Sequence, residues 1–126
     1  DMKHTTAVRP LTLLLTACAT ASSHQASTAP PAYVIAEIAV TDSVGYRGYL
    51  AAISPIVERF HGTYLVRAGK TLQIEGASPN GRIVVIAFPG FAAAKAFEEA
   101  SESISAGEIR HRTAVSRIFV VEGSAP

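Results

Sequence analysis

Between Ala32 and Gly123 the chain reads strand, helix, strand, strand, helix, strand, and the strands are apolar on both faces. That combination constrains the fold more than any other feature. One layer of helices covers only one face of a four-stranded sheet, so the second apolar face needs a second subunit or a ligand.

The first strand spans Tyr33 to Val40. Val34, Ala36, Ile38 and Val40 fall on one side and Tyr33, Ile35, Glu37 and Ala39 on the other. Thr41-Asp42 opens a helix with Asp42 as N-cap, and Tyr46, Tyr49, Leu50, Ile53, Ile56, Val57 and Phe60 form one apolar stripe. Pro55 inside that stripe predicts a kink or a split near Ser54, and Gly62 a stop. Thr63–Ala68 is a second strand, Gly69-Lys70 a tight turn and Thr71–Glu75 a further extended stretch. Pro79-Asn80-Gly81 then turns into a third strand, Arg82–Phe88. The unbroken run Ile83 to Ala87 belongs to a strand covered on both sides. A second helix is predicted from Phe91 to about Ser103, with Gly107 ending it or breaking the next loop, and Arg117–Val121 closes the sheet.

This order is the split βαβ, or ferredoxin-like, arrangement: an α+β fold with an antiparallel sheet and two helices, 42–61 and 91–103, on one face. The face carrying Ile35 and Val85 is left over. The economical cover is a two-fold homodimer packed sheet to sheet, a dimeric α+β barrel.

Residues 1–18 read as an export signal. Lys3, His4 and Arg9 precede the apolar run Leu11 to Leu15, which is too short to span a bilayer. Leu15-Thr16-Ala17-Cys18 resembles a bacterial lipoprotein box, in which Cys18 carries lipid. Ala19 after it resembles the outer-membrane type. Residues 19–31, rich in Ala, Ser and Thr, read as a disordered tether. The expected location is the bacterial periplasm, lipid-anchored to the membrane. The alternatives are secretion after cleavage, or a plain extension in which Cys18 is an ordinary thiol.

Of 126 residues, 48% are hydrophobic and 17% charged, which suits one globular domain of residues 32–123. Two of the eleven basic residues and one of the ten acidic ones precede Ala19, so the body is electrically balanced. A nucleic-acid binder shows a basic face instead, and no nucleic-acid partner is expected. The lone cysteine excludes an internal disulfide and a Cys-based zinc site, and the histidine spacing suggests no metal. No phosphate loop or nucleophile motif occurs, and no cofactor is expected.

Several segments resemble the family catalogued as domain of unknown function 1330. They are Tyr33 to Ala36, Val40-Thr41-Asp42 with Tyr46 and Tyr49, Gly62 with Leu65 to Gly69, Glu75-Gly76, Val84 to Pro89, and Phe119 to Gly123. The resemblance implies a dimeric barrel of ferredoxin-like protomers. Similar barrels include cofactor-free monooxygenases, isomerases and dehydratases. Arg67, Glu75 and Tyr49 match the family pattern and become candidate ligand contacts. The chain departs from it at Ala87, where Glu is usual, and at Glu98 and Ser103, where Tyr is usual. Ala100 to Ser103 replaces a Ser-Pro-Glu-Tyr segment.

The residues themselves offer further candidates. Arg67, on a strand face with Thr63 and Leu65, can clamp a carboxylate or enolate, or else pair with Glu75 or Glu37. Glu37, alone in an apolar strand, can accept a proton if burial raises its pKa, or else form an ion pair. His61 suits the negative end of the first helix. His111, within Arg110-His111-Arg112 and followed by Arg117, can serve proton transfer or anion binding, or lie in a solvated loop. Three functional readings follow. The first is a module binding a small, mainly apolar or carboxylated molecule in the barrel interior. The second is a cofactor-independent isomerase or oxygenase using Arg67 with Glu37 or His111. The third is a structural envelope protein without ligand. A filled, dry interior favours the third, and a cavity with converging polar groups the second.

Overall fold

The computed structural model describes residues 2–3, 7–18 and 29–126. The domain runs β1 (Ala32–Val40), α1 (Ser43–Arg59), β2 (Thr63–Arg67), β3 (Arg82–Phe88), α2 (Phe91–Glu99), α3 (Ser101–Thr113) and β4 (Ala114–Glu122). The sheet order is β2-β3-β1-β4, all pairs antiparallel, which is the ferredoxin-like α+β fold.

The strand alternation decides the core. Val34, Ala36 and Ile38 of β1, with Val84, Ile86 and Phe88 of β3, are buried under the helices. Tyr46, Tyr49, Ile53, Ile56 and Val57 of α1 pack on them, joined by Ala94 and Phe97 of α2 and Ala106 of α3. Asp42 caps α1 as expected, accepting from the Gly45 amide at 3.0 Å.

Three helices, not two, cover this face. Ala100 takes an extended conformation (ψ 136°) and ends α2 short of the expected stop near Ser103, and α3 then runs through residues where a loop was expected. Gly107 lies inside α3 rather than at an end, and β4 begins at Ala114 rather than Arg117. Pro55 does not split α1. Pro55 and Ala51, whose carbonyl loses its helical partner, are both exposed, so water can satisfy that carbonyl. Residues 71–75 form no strand.

The stop after α1 is shared by two residues. His61 takes the left-handed position (φ 63°), and the amides of His61 and Gly62 bond back to Glu58 (3.0 Å) and Val57 (2.9 Å). Gly62 is needed for space: a Cβ there would stand 2.7 Å from Val57 Cγ1 and 3.0 Å from the Phe88 ring.

α1 and α3 lie antiparallel. Thr41 and Asp42 donate to the Thr113 carbonyl at 2.8 and 3.0 Å at one end, and Arg59 meets Glu102 at 2.7 Å at the other. The opposite sheet face is uncovered. It carries Ile35, Val85, Val66, Phe119 and Val121, crossed by one ion pair between Glu37 and Arg117.

Residues 7–18 are exposed and without regular structure, Cys18 included. The expected tether lies mostly outside the described residues. Among those described, no helix is long and apolar enough to cross a membrane.

Candidate functional site

A cavity of about 170 Å³ opens between the helix-covered sheet face, α1 and α3. Val34, Ile53, Ile86 and Phe97 make its apolar wall. It lies within one protomer, beneath the helices, and not on the uncovered sheet face to which the sequence reading assigned a ligand.

Three arginines from three elements border it: Arg67 at the end of β2, Arg82 at the start of β3 and Arg110 in the last turn of α3. β2 and β3 are antiparallel, so Arg67 and Arg82 belong to the same end of the sheet. Each arginine stands over a tyrosine ring: Arg67 over Tyr64 at 4.2 Å, Arg82 over Tyr46 at 5.4 Å and Arg110 over Tyr49 at 5.1 Å. Stacking of this kind holds a guanidinium in place while leaving its N–H edge available.

Arg67 reaches the cavity because of a β-bulge. The register with β3 shifts between Tyr64 and Val66, pairing Tyr64 with Ile86 and Arg67 with Val84. One extra residue reverses the alternation, so Arg67 shares the helix side with Tyr64 and not, as simple alternation predicts, with Thr63. Its Nη2 donates to Ser54 Oγ at 2.9 Å; neither Glu75 nor Glu37 is its partner.

Arg110 donates to the Tyr49 hydroxyl at 3.1 Å and to Ser116 Oγ at 3.2 Å. Among the described residues, none of the three guanidiniums has a carboxylate within ion-pairing distance. Arg82 Nε is buried without a hydrogen-bond partner. An unmet buried donor costs about 1–3 kcal/mol.

Glu98, at the end of α2, also lines the cavity. Burial pushes its carboxyl above the ordinary carboxylate range, and the Arg110 charge offsets part of that rise. Burial likewise raises Tyr49, partly opposed by the charge and hydrogen bond of Arg110, and raises Tyr46, opposed chiefly by Arg82. His111 borders the same space from α3, a helix rather than the solvated loop of the sequence reading.

The sequence candidates therefore divide. Arg67, Tyr49 and His111 come together at the cavity. Glu37 does not: it is on the uncovered face, accepting from Arg117 Nε at 3.1 Å. Glu75 is exposed in the loop after β2, where its carbonyl accepts from Gln73 at 2.7 Å. His61 stays at the end of α1. Arg82, Glu98, Tyr46 and Ser103 were missed as site residues. For Glu98 and Ser103 a signal existed, since both are departures from the resembled family pattern; Ala87, the third, is on the uncovered face.

The fold resembles that of solved proteins at low identity. A protein of unknown function from Rhodopseudomonas palustris superposes with TM-score 0.61 at 17% identity, over 77% of this chain and 85% of that one. SnoaB, a cofactor-independent oxygenase from Streptomyces nogalater, does so with TM-score 0.54 at 12% identity, over 78% and 97%. No curated protein matches the sequence. The family described as Domain of unknown function (DUF1330) matches residues 31–124, and the chain belongs to it.

Proposed function

We propose that the cavity binds a small, mainly apolar molecule carrying a carboxylate. The observation that carries this reading is the set of three tyrosine-stacked arginines, without carboxylate partners among the described residues, around an apolar space. An anion there gains charge-assisted, bidentate hydrogen bonds. The volume is close to the roughly 150 Å³ that accepts one benzene ring in engineered apolar cavities. Thermal unfolding with benzoate and with its neutral analogue benzamide tests the reading. Benzoate is expected to raise the melting temperature and benzamide to have little effect; equal effects, or none, would refute it.

A second reading, a cofactor-independent isomerase or oxygenase, draws support from Glu98. A buried carboxyl held above the ordinary carboxylate range, beside guanidiniums, suits proton transfer to a bound enolate. The Streptomyces neighbour is described as an oxygenase, but a shared fold does not carry chemistry. The test is deuterium exchange at the acidic C–H of phenylpyruvate, followed by NMR. This reading expects exchange faster than in buffer and slowed in Glu98→Gln; exchange at the buffer rate would exclude enolisation of this substrate type. The open cavity, mainly apolar but bordered by converging polar groups, supports either reading over a purely structural role.

The assembly proposed for the uncovered face is a homodimer packed sheet on sheet. A two-fold copy presents the same apolar surface, and hiding it removes an aggregation hazard. The proposed location is the bacterial envelope, with Cys18 lipidated and the domain held by its tether. Mass spectrometry of the protein from native membranes checks this: an unmodified Cys18 in a chain beginning at Met2 would rule out lipidation.

A further inference from the structure

The cavity has a second polar feature, two helical turns from Arg110 along α3. Ser103, in the first turn of α3, is only 7% exposed, and its Oγ is buried with no hydrogen-bond partner. The two other helical serine and threonine hydroxyls that are at least partly buried satisfy themselves: Ser54 donates to the Leu50 carbonyl at 2.9 Å and Thr113 to that of Ile109 at 2.7 Å, each four residues back. Ser103 lacks this option because Ala100 is extended, so the carbonyl four residues back, at Glu99, belongs to α2. A donor and an acceptor are left without partners on a residue that lines the cavity.

Ser103 and Arg110 are seven residues apart, which places them on one face of α3, separated by roughly 10 Å along its axis. Gly107 lies between them on that face and also lines the cavity, leaving open the space a side chain would fill. The helix ends confirm the direction. Ser103 lies near the Arg59–Glu102 pair and the C-terminal end of α1, while Arg110 lies near its N-terminal half, at Tyr49. The cationic Arg110 and a neutral polar residue thus stand two helical turns apart along the space.

We infer that the ligand is a small ring-bearing carboxylic acid with a second, neutral hydrogen-bonding group, a hydroxyl or carbonyl, held by Ser103 Oγ while the carboxylate meets Arg82 and Arg110. This deepens the carboxylate-binding reading and rests on it. A plain acid would fill the charge requirement and leave the serine unmet. A hydroxy acid meets both, and a site with an unmet polar group discriminates between them.

Isothermal titration of the full chain with benzoate, meta-hydroxybenzoate and para-hydroxybenzoate tests this. At least one hydroxybenzoate is expected to bind about tenfold more tightly than benzoate, the size of one net hydrogen bond. In Ser103→Ala that ratio is expected to fall to about one, with circular dichroism confirming the fold. Benzoate binding equal to that of both hydroxybenzoates overturns the inference and leaves the carboxylate site standing. So does a preference that survives in Ser103→Ala. Failure of all three acids to bind removes both.

Discussion

Arg110 holds Tyr49 in two ways: its Nη1 donates to the hydroxyl at 3.1 Å, and its Cζ stands 5.1 Å from the centroid of the same ring. The pair links the last turn of α3 to the middle of α1 across the cavity. Tyr49→Phe keeps the ring and removes the acceptor. Stability is expected to fall by about 1 kcal/mol, measured by urea unfolding. Benzoate affinity should fall less than in Arg110→Ala, because the guanidinium still rests on the ring. An equal fall in both variants would mean the hydroxyl, not the stacking, positions Arg110.

Gly107 is a helix-interior glycine that no steric contact requires. A Cβ there would stand 3.5 Å from Arg110 Nη2, an ordinary contact. Gly107→Ala should therefore stabilise the protein by about 0.5–1 kcal/mol through helix propensity. The same methyl narrows the cavity and should weaken benzoate binding. A gain in both stability and affinity would show that the cavity is not the site.

Glu98 makes stability depend on pH in a direction the structure dictates. Its carboxyl is raised above the ordinary carboxylate value by burial, so the folded state holds this proton more tightly than the unfolded chain does. Its contribution is fully present below the unfolded pKa, near 4.3, and is lost as pH rises through the higher folded value. Glu98→Gln keeps the shape without the charge. It should be close to wild type at about pH 4 and more stable at about pH 7.5, the benefit being limited by the lost attraction to Arg110. Urea midpoints at the two values check this; a variant whose difference from wild type does not change between them would contradict the assignment.

Phe119 is 44% exposed on the uncovered face of β4, opposite Ile35. If two copies meet there, Phe119→Asp places like charges across the two-fold axis. Light scattering should give twice the chain mass for wild type and the single-chain mass for the variant. A monomeric wild type would end the sheet-to-sheet proposal.

Residues of the site were legible in proportion to how ordinary their surroundings are. Tyr49 belongs to an apolar stripe at helical spacing, so its inward direction was readable. α3 was not readable, because Ser103, Gly107 and Arg110 line a cavity and give no apolar period; polar and small residues there resemble a loop. Glu37 was open for the opposite reason. A single charge in an apolar strand suits either burial or an ion pair, and the structure shows the ion pair, with Arg117 of β4 on the uncovered face.

By itself the amino-acid order determined the order of the four strands and of α1 and α2, and the presence of apolar residues on both strand faces, since both follow from local periodicity. The tertiary structure decided which residues meet. The bulge that turns Arg67 toward the helices exists only in its pairing with β3, and Tyr46, Arg82, Glu98 and Arg110 converge only once the sheet and helices have packed. Side-chain direction in a strand depends on register, and register is a property of two strands rather than one.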